Sequence, residues 1–184
     1  MDGTLKNEAG MGLIEVMMAA MILSISLMAV AMTMIQGMSS MYIAQEQLIA
    51  KQKARETLES VFTARSTQGI TFAQLQNSIV SGGIFLVGWQ PIRLMGTDGI
   101  ANTDDDSSAA LESIVFAGPD GNLGTSDDIT RTLSNMERRI TISNVLLPNS
   151  SVDPDIRQVT VEVRFQINKI YRTVTISSYI SRFT

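Results

Sequence analysis

The sequence predicts an α+β protein in which one long N-terminal helix precedes a β-rich domain. Two observations carry this prediction. Residues 11–35 form an unbroken apolar run, and residues 157–181 contain apolar and polar side chains that alternate with a period of two. A run of that length favours a helix, whereas strict alternation is typical of a half-buried strand. The 184 residues leave room for one globular domain of ordinary size after the helix.

The first element is a helix over residues 11–65, preceded by residues 1–10. Its first part, residues 11–37, is long enough to cross a bilayer, since about 20 apolar residues suffice. Glu15 is the only ionisable side chain in the apolar run. A charge in such a segment is costly unless another group neutralises it, so we expect Glu15 to have a function.

The second part of this helix, residues 38–65, is amphipathic. Its apolar positions fall on roughly one face, which should pack against a sheet, and its charged side chains should form the solvated face. The apolar positions are Met41, Ala44, Leu48, Leu58, Val61 and Phe62, and the charged ones are Lys51, Lys53, Arg55, Glu56 and Glu59.

The remaining residues, 66–184, are predicted to form the β-rich domain. Thr71 should cap a short helix that ends near Val80. Trp89, the only tryptophan, is expected to be a core anchor rather than a ligand-stacking residue. Strands are predicted over residues 84–89, 92–95, 111–116 and 139–147, and an antiparallel hairpin turned by Asn168 and Lys169 is predicted over residues 157–181.

Composition excludes several functions. The chain contains no histidine, so it lacks the usual general base and the usual transition-metal ligand, and we expect no enzymatic activity. It contains no cysteine, so no disulfide closes its loops. The net charge of -4 gives no electrostatic reason for direct nucleic-acid binding.

Two aspartate-rich segments resemble each other at an offset of 22 residues, 120 minus 98. The first aspartate loop is residues 98–106 and the second aspartate loop is residues 120–128. Crowded carboxylates on glycine-bearing loops suit Ca²⁺, although the same residues also form solvated turns. The second loop is the stronger candidate, because two glycines let its backbone fold inward. The candidate ligands are Asp120, Asn122, Asp127 and Asp128 in the second loop, and Asp98, Asp104, Asp105 and Asp106 in the first.

The N-terminal sequence carries a specific resemblance. Residues 10–16, Gly-Met-Gly-Leu-Ile-Glu-Val, resemble the leader site of type IV pilins and type II secretion pseudopilins. The resemblance implies that prepilin peptidase cleaves between Gly10 and Met11 and methylates the new amino terminus of Met11. It also implies that Glu15 pairs with the Met11 amine of a neighbouring subunit. Residues 16–28 further resemble PilV-type minor pilins.

This resemblance implies the pilin fold, in which the C-terminal half of the long helix packs on an antiparallel sheet. The implied function is that of a minor subunit of a type IV pilus, and a minor pseudopilin of a type II secretion system is the alternative. Expected partners are other pilin or pseudopilin subunits, prepilin peptidase, an inner-membrane assembly platform and, before assembly, the membrane itself. The expected location is the inner membrane before assembly and a periplasmic or extracellular filament afterwards.

Two other kinds of processing stay open. Cleavage after Ala31, within the small-x-small segment 29–31, would release a soluble protein, but the leader lacks the positive charge of a secretory signal. An uncleaved chain would keep a simple membrane anchor. In either case the protein would be a secreted or membrane-anchored calcium-dependent binding module.

Overall fold

Helix α1 spans Leu13–Ser66, 54 residues without a break, in a computed structural model that describes residues 12–183. The helix contains no proline, and Gly37 in its interior costs about 1 kcal/mol relative to alanine, too little to interrupt it. The helix predicted over residues 11–65 is confirmed from Leu13 onward, and Met11 lies outside the described residues. The chain divides into two compact units between Ala44 and Gln45.

The unit that begins at Gln45 contains, in the described part of the chain, six strands and one short 3₁₀ helix. The strands are β1 (Gln90–Pro91), β2 (Ser113–Phe116), β3 (Ile129–Thr132), β4 (Met136–Leu146), β5 (Val152–Ile167) and β6 (Ile170–Ser181), and the 3₁₀ helix is Asp104–Ser108. Four of the strands form an antiparallel sheet in the order β1-β4-β5-β6, and β2 and β3 form a separate antiparallel pair. The α+β class is therefore confirmed.

The hairpin of β5 and β6 has the turn that its sequence predicts. Ile167 pairs with Ile170, which leaves Asn168 and Lys169 as a two-residue loop. Both loop residues have positive φ angles, 50° and 66°. A type I′ turn requires this conformation, and its twist matches that of the flanking strands.

The core lies between the inner face of the sheet and the second half of α1. Alternate residues of β5 are fully buried, because the inner face of a strand repeats every second residue. They join apolar residues of the helix in one hydrophobic cluster. The buried β5 residues are Val159, Val161, Val163 and Phe165, and their partners from α1 are Ile49, Ala50, Ala54, Val61 and Ala64.

The region between the helix and the sheet differs from the prediction. Residues 71–80 form turns instead of a short helix, because backbone groups that a helix would use internally bond to Phe85 instead. The N–H of Ser78 donates to the carbonyl of Phe85 at 2.8 Å, and the N–H of Phe85 donates to the carbonyl of Gln76 at 3.2 Å. The strands predicted over residues 84–89 and 92–95 are also wrong. Phe85 and Arg93 make only isolated bridges there. Gly88 at a φ of 86° and the following Pro91 explain why a ladder does not extend through this segment.

The buried face of α1 also differs from the prediction. Leu48 and Met41 are 68% and 75% exposed, whereas Glu46 and Lys53 are buried. The face of α1 that packs on the sheet therefore cannot be identified from the pattern of apolar residues, because two of its buried residues are charged.

Candidate functional site

The first candidate site is the exposed apolar part of α1. Every side chain in residues 12–42 is exposed, and one stretch of α1 is long and apolar enough to cross a membrane. Glu15 is the only charged residue before Glu46 in this described part of the chain, and it lies in the first turn of the helix. Gly10 and Met11, the residues of the predicted cleavage site, lie outside the described residues.

The three hydroxyl side chains within residues 13–35 are all hydrogen-bonded inside the helix. The hydroxyl groups of Ser24, Ser26 and Thr33 each donate to a backbone carbonyl three or four residues earlier, at 2.7 to 2.8 Å. A hydroxyl bonded in this way can enter lipid or a packed helix interface without an unsatisfied donor. Glu15 is thus the one side chain here whose charge requires an external partner.

The second candidate site is a row of polar residues on the buried face of α1. Glu46 is fully buried and accepts hydrogen bonds from Arg131 and from Asn135. Two turns further along the same face, Lys53 is 6% exposed and forms ion pairs with Glu112 and Glu56. Each buried charge on the helix therefore meets an opposite charge, as burial requires.

A third polar contact follows on the same face. Thr57 is fully buried, and its hydroxyl accepts a hydrogen bond from Arg138 at 3.1 Å. Arg138 is 2% exposed and forms an ion pair with Asp106 at 3.6 Å. Burial lowers the pKa of Arg138, and the charge of Asp106 opposes that shift. Arg138 joins the helix, the sheet and the first aspartate loop.

The pKa of Lys53 shows how its pairing outweighs its burial. Burial by itself would lower the pKa of this amine, but the hydrogen bonds and charges of Glu112 and Glu56 leave it raised above 10.5. Because the pKa of Lys53 is higher in the folded state than in the unfolded state, its charged amine stabilises the fold at every pH below the unfolded pKa. This contribution is lost as the pH rises through the folded pKa. Lys53 is therefore a structural cation throughout the neutral range, and its assignment to the solvated face is wrong.

The third candidate site is the pair of aspartate loops. In each loop the first aspartate, Asp98 or Asp120, accepts the backbone N–H two residues later at 2.8 Å. The N–H of that same aspartate donates to the carboxylate of Asp105 or Asp127 at 3.3 Å. The bonds have the same lengths in both loops.

Two further positions that are identical in the two loops also make matching bonds. Thr103 and Thr125 donate their hydroxyls to the carboxylate two residues later, at 2.7 and 2.6 Å. These bonds are the largest cause of the lowered pKa values of Asp105 and Asp127. The last aspartates, Asp106 and Asp128, each accept the N–H four residues earlier at 2.6 Å.

The two loops differ in what surrounds their last aspartate. Asp106 is 4% exposed, and its second oxygen accepts the N–H of Gly96 at 2.7 Å. Asp128 is less buried, and its Oδ1 atom is inaccessible to solvent and has no hydrogen-bond partner in the described part of the chain. No arginine meets Asp128 there. The remaining candidate ligands, Asp104 and Asn122, are exposed.

The carboxylates of the loops act mainly as acceptors for their own backbone. No group of three or more acidic side chains in residues 12–183 is close enough to hold a metal ion. The unpartnered oxygen of Asp128 fits a cation better than any oxygen of Asp106, which already has donors. Calcium binding at the loops stays a prediction.

Trp89 lies on the outer face of the sheet. The guanidinium carbons of Arg139 and Arg164 lie 4.6 and 4.2 Å from the centre of its ring. These arginines also pair across strands, Arg139 with Glu162 and Arg164 with Glu137. Trp89 is therefore stacked between cations and is absent from the hydrophobic core cluster, so the prediction of a core anchor is wrong.

The polar residues on the buried face of α1 were missed from the sequence. Glu46, Lys53 and Thr57 follow one another at intervals of seven and four residues, a helical spacing that places them on one face. That spacing could have identified a polar buried face, but only if the residues that pair with these side chains were known.

Comparison of the chain with protein-family models, curated proteins and solved structures finds no match.

Proposed function

We propose that this chain is a minor pilin-like structural subunit of a type IV pilus and that it adopts the pilin fold. The observation that carries the proposal is helix α1. It joins a uniformly apolar, membrane-length part that has a single charge in its first turn to a second part whose face is buried in a domain with an antiparallel sheet. An apolar helix of this kind has two uses, as an anchor in lipid and as a packing element in a filament core.

The apolar side chains of residues 13–41 supply the driving force for assembly. Each large apolar side chain that is buried contributes about 1.5 to 3 kcal/mol relative to exposure in water. Such packing has no strong axial preference, because apolar contacts are non-directional. Glu15 supplies the preference, since its carboxylate is neutralised only where it meets the Met11 amine of a neighbouring subunit.

The intact mass of the protein purified from its native membrane tests the proposed processing. A chain that starts at Met11 and carries one added methyl group is the expected product of prepilin peptidase. A chain that starts at Met32 would indicate a secretory signal, and a chain that starts at Met1 would indicate a simple anchor. Either of these two results would contradict the filament-subunit proposal.

The substitution Glu15→Ala tests assembly separately from insertion. We expect the variant to enter the membrane normally, because removing a charge lowers the cost of burial in lipid. We expect it to be lost from sheared filaments, because the Met11 amine of its neighbour would lack a partner. Immunoblots of membrane and filament fractions measure both effects.

Ser26→Ala is the matched control. Ser26 lies on the same part of the helix, and its hydroxyl donates only to the carbonyl of Ile22. This variant should assemble like the original chain. Normal filament incorporation of the Glu15→Ala variant would show that Glu15 has no role in axial register.

A minor pseudopilin of a type II secretion system would use the same helix and the same carboxylate. Deletion of the gene discriminates between the two filaments. Loss of adhesion, twitching or DNA uptake is expected for a pilus subunit, and loss of enzyme export is expected for a pseudopilin. In both cases the chain would lie in the inner membrane before assembly, where prepilin peptidase and the assembly platform act on it.

A further inference from the structure

Two exposed cations of α1 have no acidic partner in the part of the chain that the structure describes. Lys51 and Arg55 are exposed and form no ion pair there. They lie four residues apart on one helix, so their like charges repel each other. Leu48 lies on the same side of the helix and is 68% exposed. Leu48, Lys51 and Arg55 together form the basic flank of α1, and an anionic partner would relieve its repulsion.

The first aspartate loop presents the opposite charge. Asp98 and Asp104 are exposed, and neither forms an ion pair within residues 12–183. Met95, three residues before Asp98, is 38% exposed and gives this surface an apolar contact. Met95, Asp98 and Asp104 together form the acidic flank. Its composition is the complement of the basic flank, with carboxylates in place of cations and one apolar side chain in each.

Contacts with the rest of the domain hold the first loop in place. Ala101 donates its N–H to the hydroxyl of Ser60 in α1 at 3.3 Å, and Asp106 forms an ion pair with Arg138. Ile100 and Ala101, at the centre of the loop, are buried. The acidic flank is therefore already ordered, so it loses little conformational entropy when it binds a partner.

The two flanks lie on different sides of α1 and at different heights along it. Arg55 precedes Ser60, which contacts the loop, by five residues. Five residues correspond to about 140° around a helix that has 3.6 residues per turn. The midpoint of Lys51 and Arg55 is position 53, and 60 minus 53 gives seven residues, about 10 Å along the axis. One chain therefore cannot bring its own two flanks together.

We propose that the acidic flank of one copy binds the basic flank of a second copy of this chain, with α1 parallel in the two copies. The carboxylates of the first loop would lie against Lys51 and Arg55, and Met95 would contact Leu48. Complementary charges across an interface favour one register and one partner over the alternatives. The inference rests on the proposed function, because a shared membrane or filament keeps α1 parallel in neighbouring copies.

The contact between the two flanks is staggered. The second copy would be displaced by about 10 Å along the helix axis, because its basic flank meets a loop that is held at the level of Ser60. Two different surfaces meet, so the contact is heterologous, and a heterologous contact with an axial displacement cannot close into a ring. It would continue from copy to copy as an open helical filament. The two flanks would thus set axial register together with Glu15.

A zero-length crosslinker tests the contact directly. A carbodiimide joins a lysine amine to a carboxylate only where the two groups already touch. The sample is an equal mixture of unlabelled and ¹⁵N-labelled full chain in phosphatidylcholine vesicles, whose headgroups carry neither a primary amine nor a carboxylate. Mass spectrometry should identify mixed-isotope peptides in which Lys51 is linked to Asp98 or Asp104.

The other lysines of the described residues serve as controls. Lys169 is the matched control, because it is exposed like Lys51 and lies in the turn between β5 and β6. Its links to the first loop should be rare. Lys53 is the positive control, since it already contacts Glu112 within one chain. A Lys53 link without any mixed-isotope Lys51 link would overturn the proposal. Equal yields at Lys51 and Lys169 would overturn it too, because they would indicate random collision.

An exchange of charges tests whether the pairing drives association. Arg55→Glu or Asp104→Lys alone should weaken the dimer about fivefold or more, because like charges would then face each other. A chain with both substitutions should associate nearly as tightly as the original, because the two positions again carry opposite charges. Sedimentation equilibrium in density-matched detergent measures the association. Both positions are exposed, so the melting temperatures should stay unchanged.

Arg182→Glu is the charge-matched control for this exchange. The carbonyl of Arg182 accepts a hydrogen bond from Arg65 at 2.7 Å. Arg65 lies ten residues beyond Arg55, which is about 15 Å along α1. This separation exceeds the Debye length of about 8 Å at physiological ionic strength, so the control should associate like the original chain. No recovery in the chain that carries both Arg55→Glu and Asp104→Lys would overturn the proposed pairing.

The intact mass and the crosslink distinguish failure of this contact from failure of the filament proposal. A chain that is processed at Met11 and gives no Lys51 crosslink would contradict the contact alone. A chain that starts at Met1 or Met32 and gives the crosslink would contradict the filament proposal alone.

Discussion

The two aspartate loops have the same backbone hydrogen bonds in different surroundings. In both loops the aspartates accept the same N–H groups at the same distances. The first loop is buried in its centre, at Ile100, Ala101 and Asn102. The second is exposed over the same stretch, and Leu123 is 68% exposed. Local sequence determines the shape of the loop, and the rest of the fold determines what its last carboxylate does.

The two loops differ most clearly in the partners of their last carboxylates, Asp106 and Asp128. In the first loop, Asp106 forms an ion pair with the buried Arg138. Arg138 also donates a hydrogen bond to the hydroxyl of Thr57 in α1. The second loop has no such connection, and one oxygen of Asp128 has no partner in the described residues. The first loop is thus a structural joint between helix and sheet, while the second retains an oxygen that could bind a cation.

The largest expected difference between the loops concerns their last aspartates. Asp106→Ala should lower the free energy of unfolding by about 3 kcal/mol or more, because it leaves Arg138 buried without its counter-charge. Asp128→Ala should cost about 1 kcal/mol, the value of one hydrogen bond to a backbone N–H. Chemical denaturation of the full chain in detergent micelles measures both. Similar losses for the two variants would show that Arg138 does not depend on Asp106.

Calcium should distinguish the loops by a smaller amount. At about ten times its dissociation constant, Ca²⁺ should raise the melting temperature by about 4 °C through binding to the second loop. Asp120→Asn should abolish this shift, and Asp98→Asn, the equivalent change in the first loop, should retain it. A melting temperature that responds neither to calcium nor to a chelator would exclude calcium binding.

The smallest effect should be the same in both loops. The hydroxyls of Thr103 and Thr125 hold the pKa values of Asp105 and Asp127 below 3.8. A carboxylate whose pKa is lowered by folding stabilises the fold at every pH above its unfolded pKa. This stabilisation is lost as the pH falls through the folded pKa. Thr103→Val and Thr125→Val should each raise the pKa of their aspartate. NMR titration of the carboxyl carbons measures this, and a shift in only one loop would break the equivalence.

Much of the fold follows from patterns that involve neighbouring residues. The hairpin of β5 and β6 was predicted because alternation and the turn at Asn168 are local signals. The buried face of α1 was not, because Glu46 and Lys53 are acceptable in a core only once Arg131 and Glu112 arrive from distant segments. Trp89 was assigned to the core for the same reason, since its cationic neighbours lie on other strands.

The sequence by itself determined the long apolar helix, the single charge at its start, the terminal hairpin and the equivalence of the two aspartate loops. Each depends on residues that are close along the chain, where periodicity, turn chemistry and short-range hydrogen bonds act. Only the tertiary structure decided which helix face is buried, which loop closes on Arg138 and on which side of α1 that loop lies. These outcomes depend on residues far apart in sequence, whose burial and pairing energies arise only when the chain has folded.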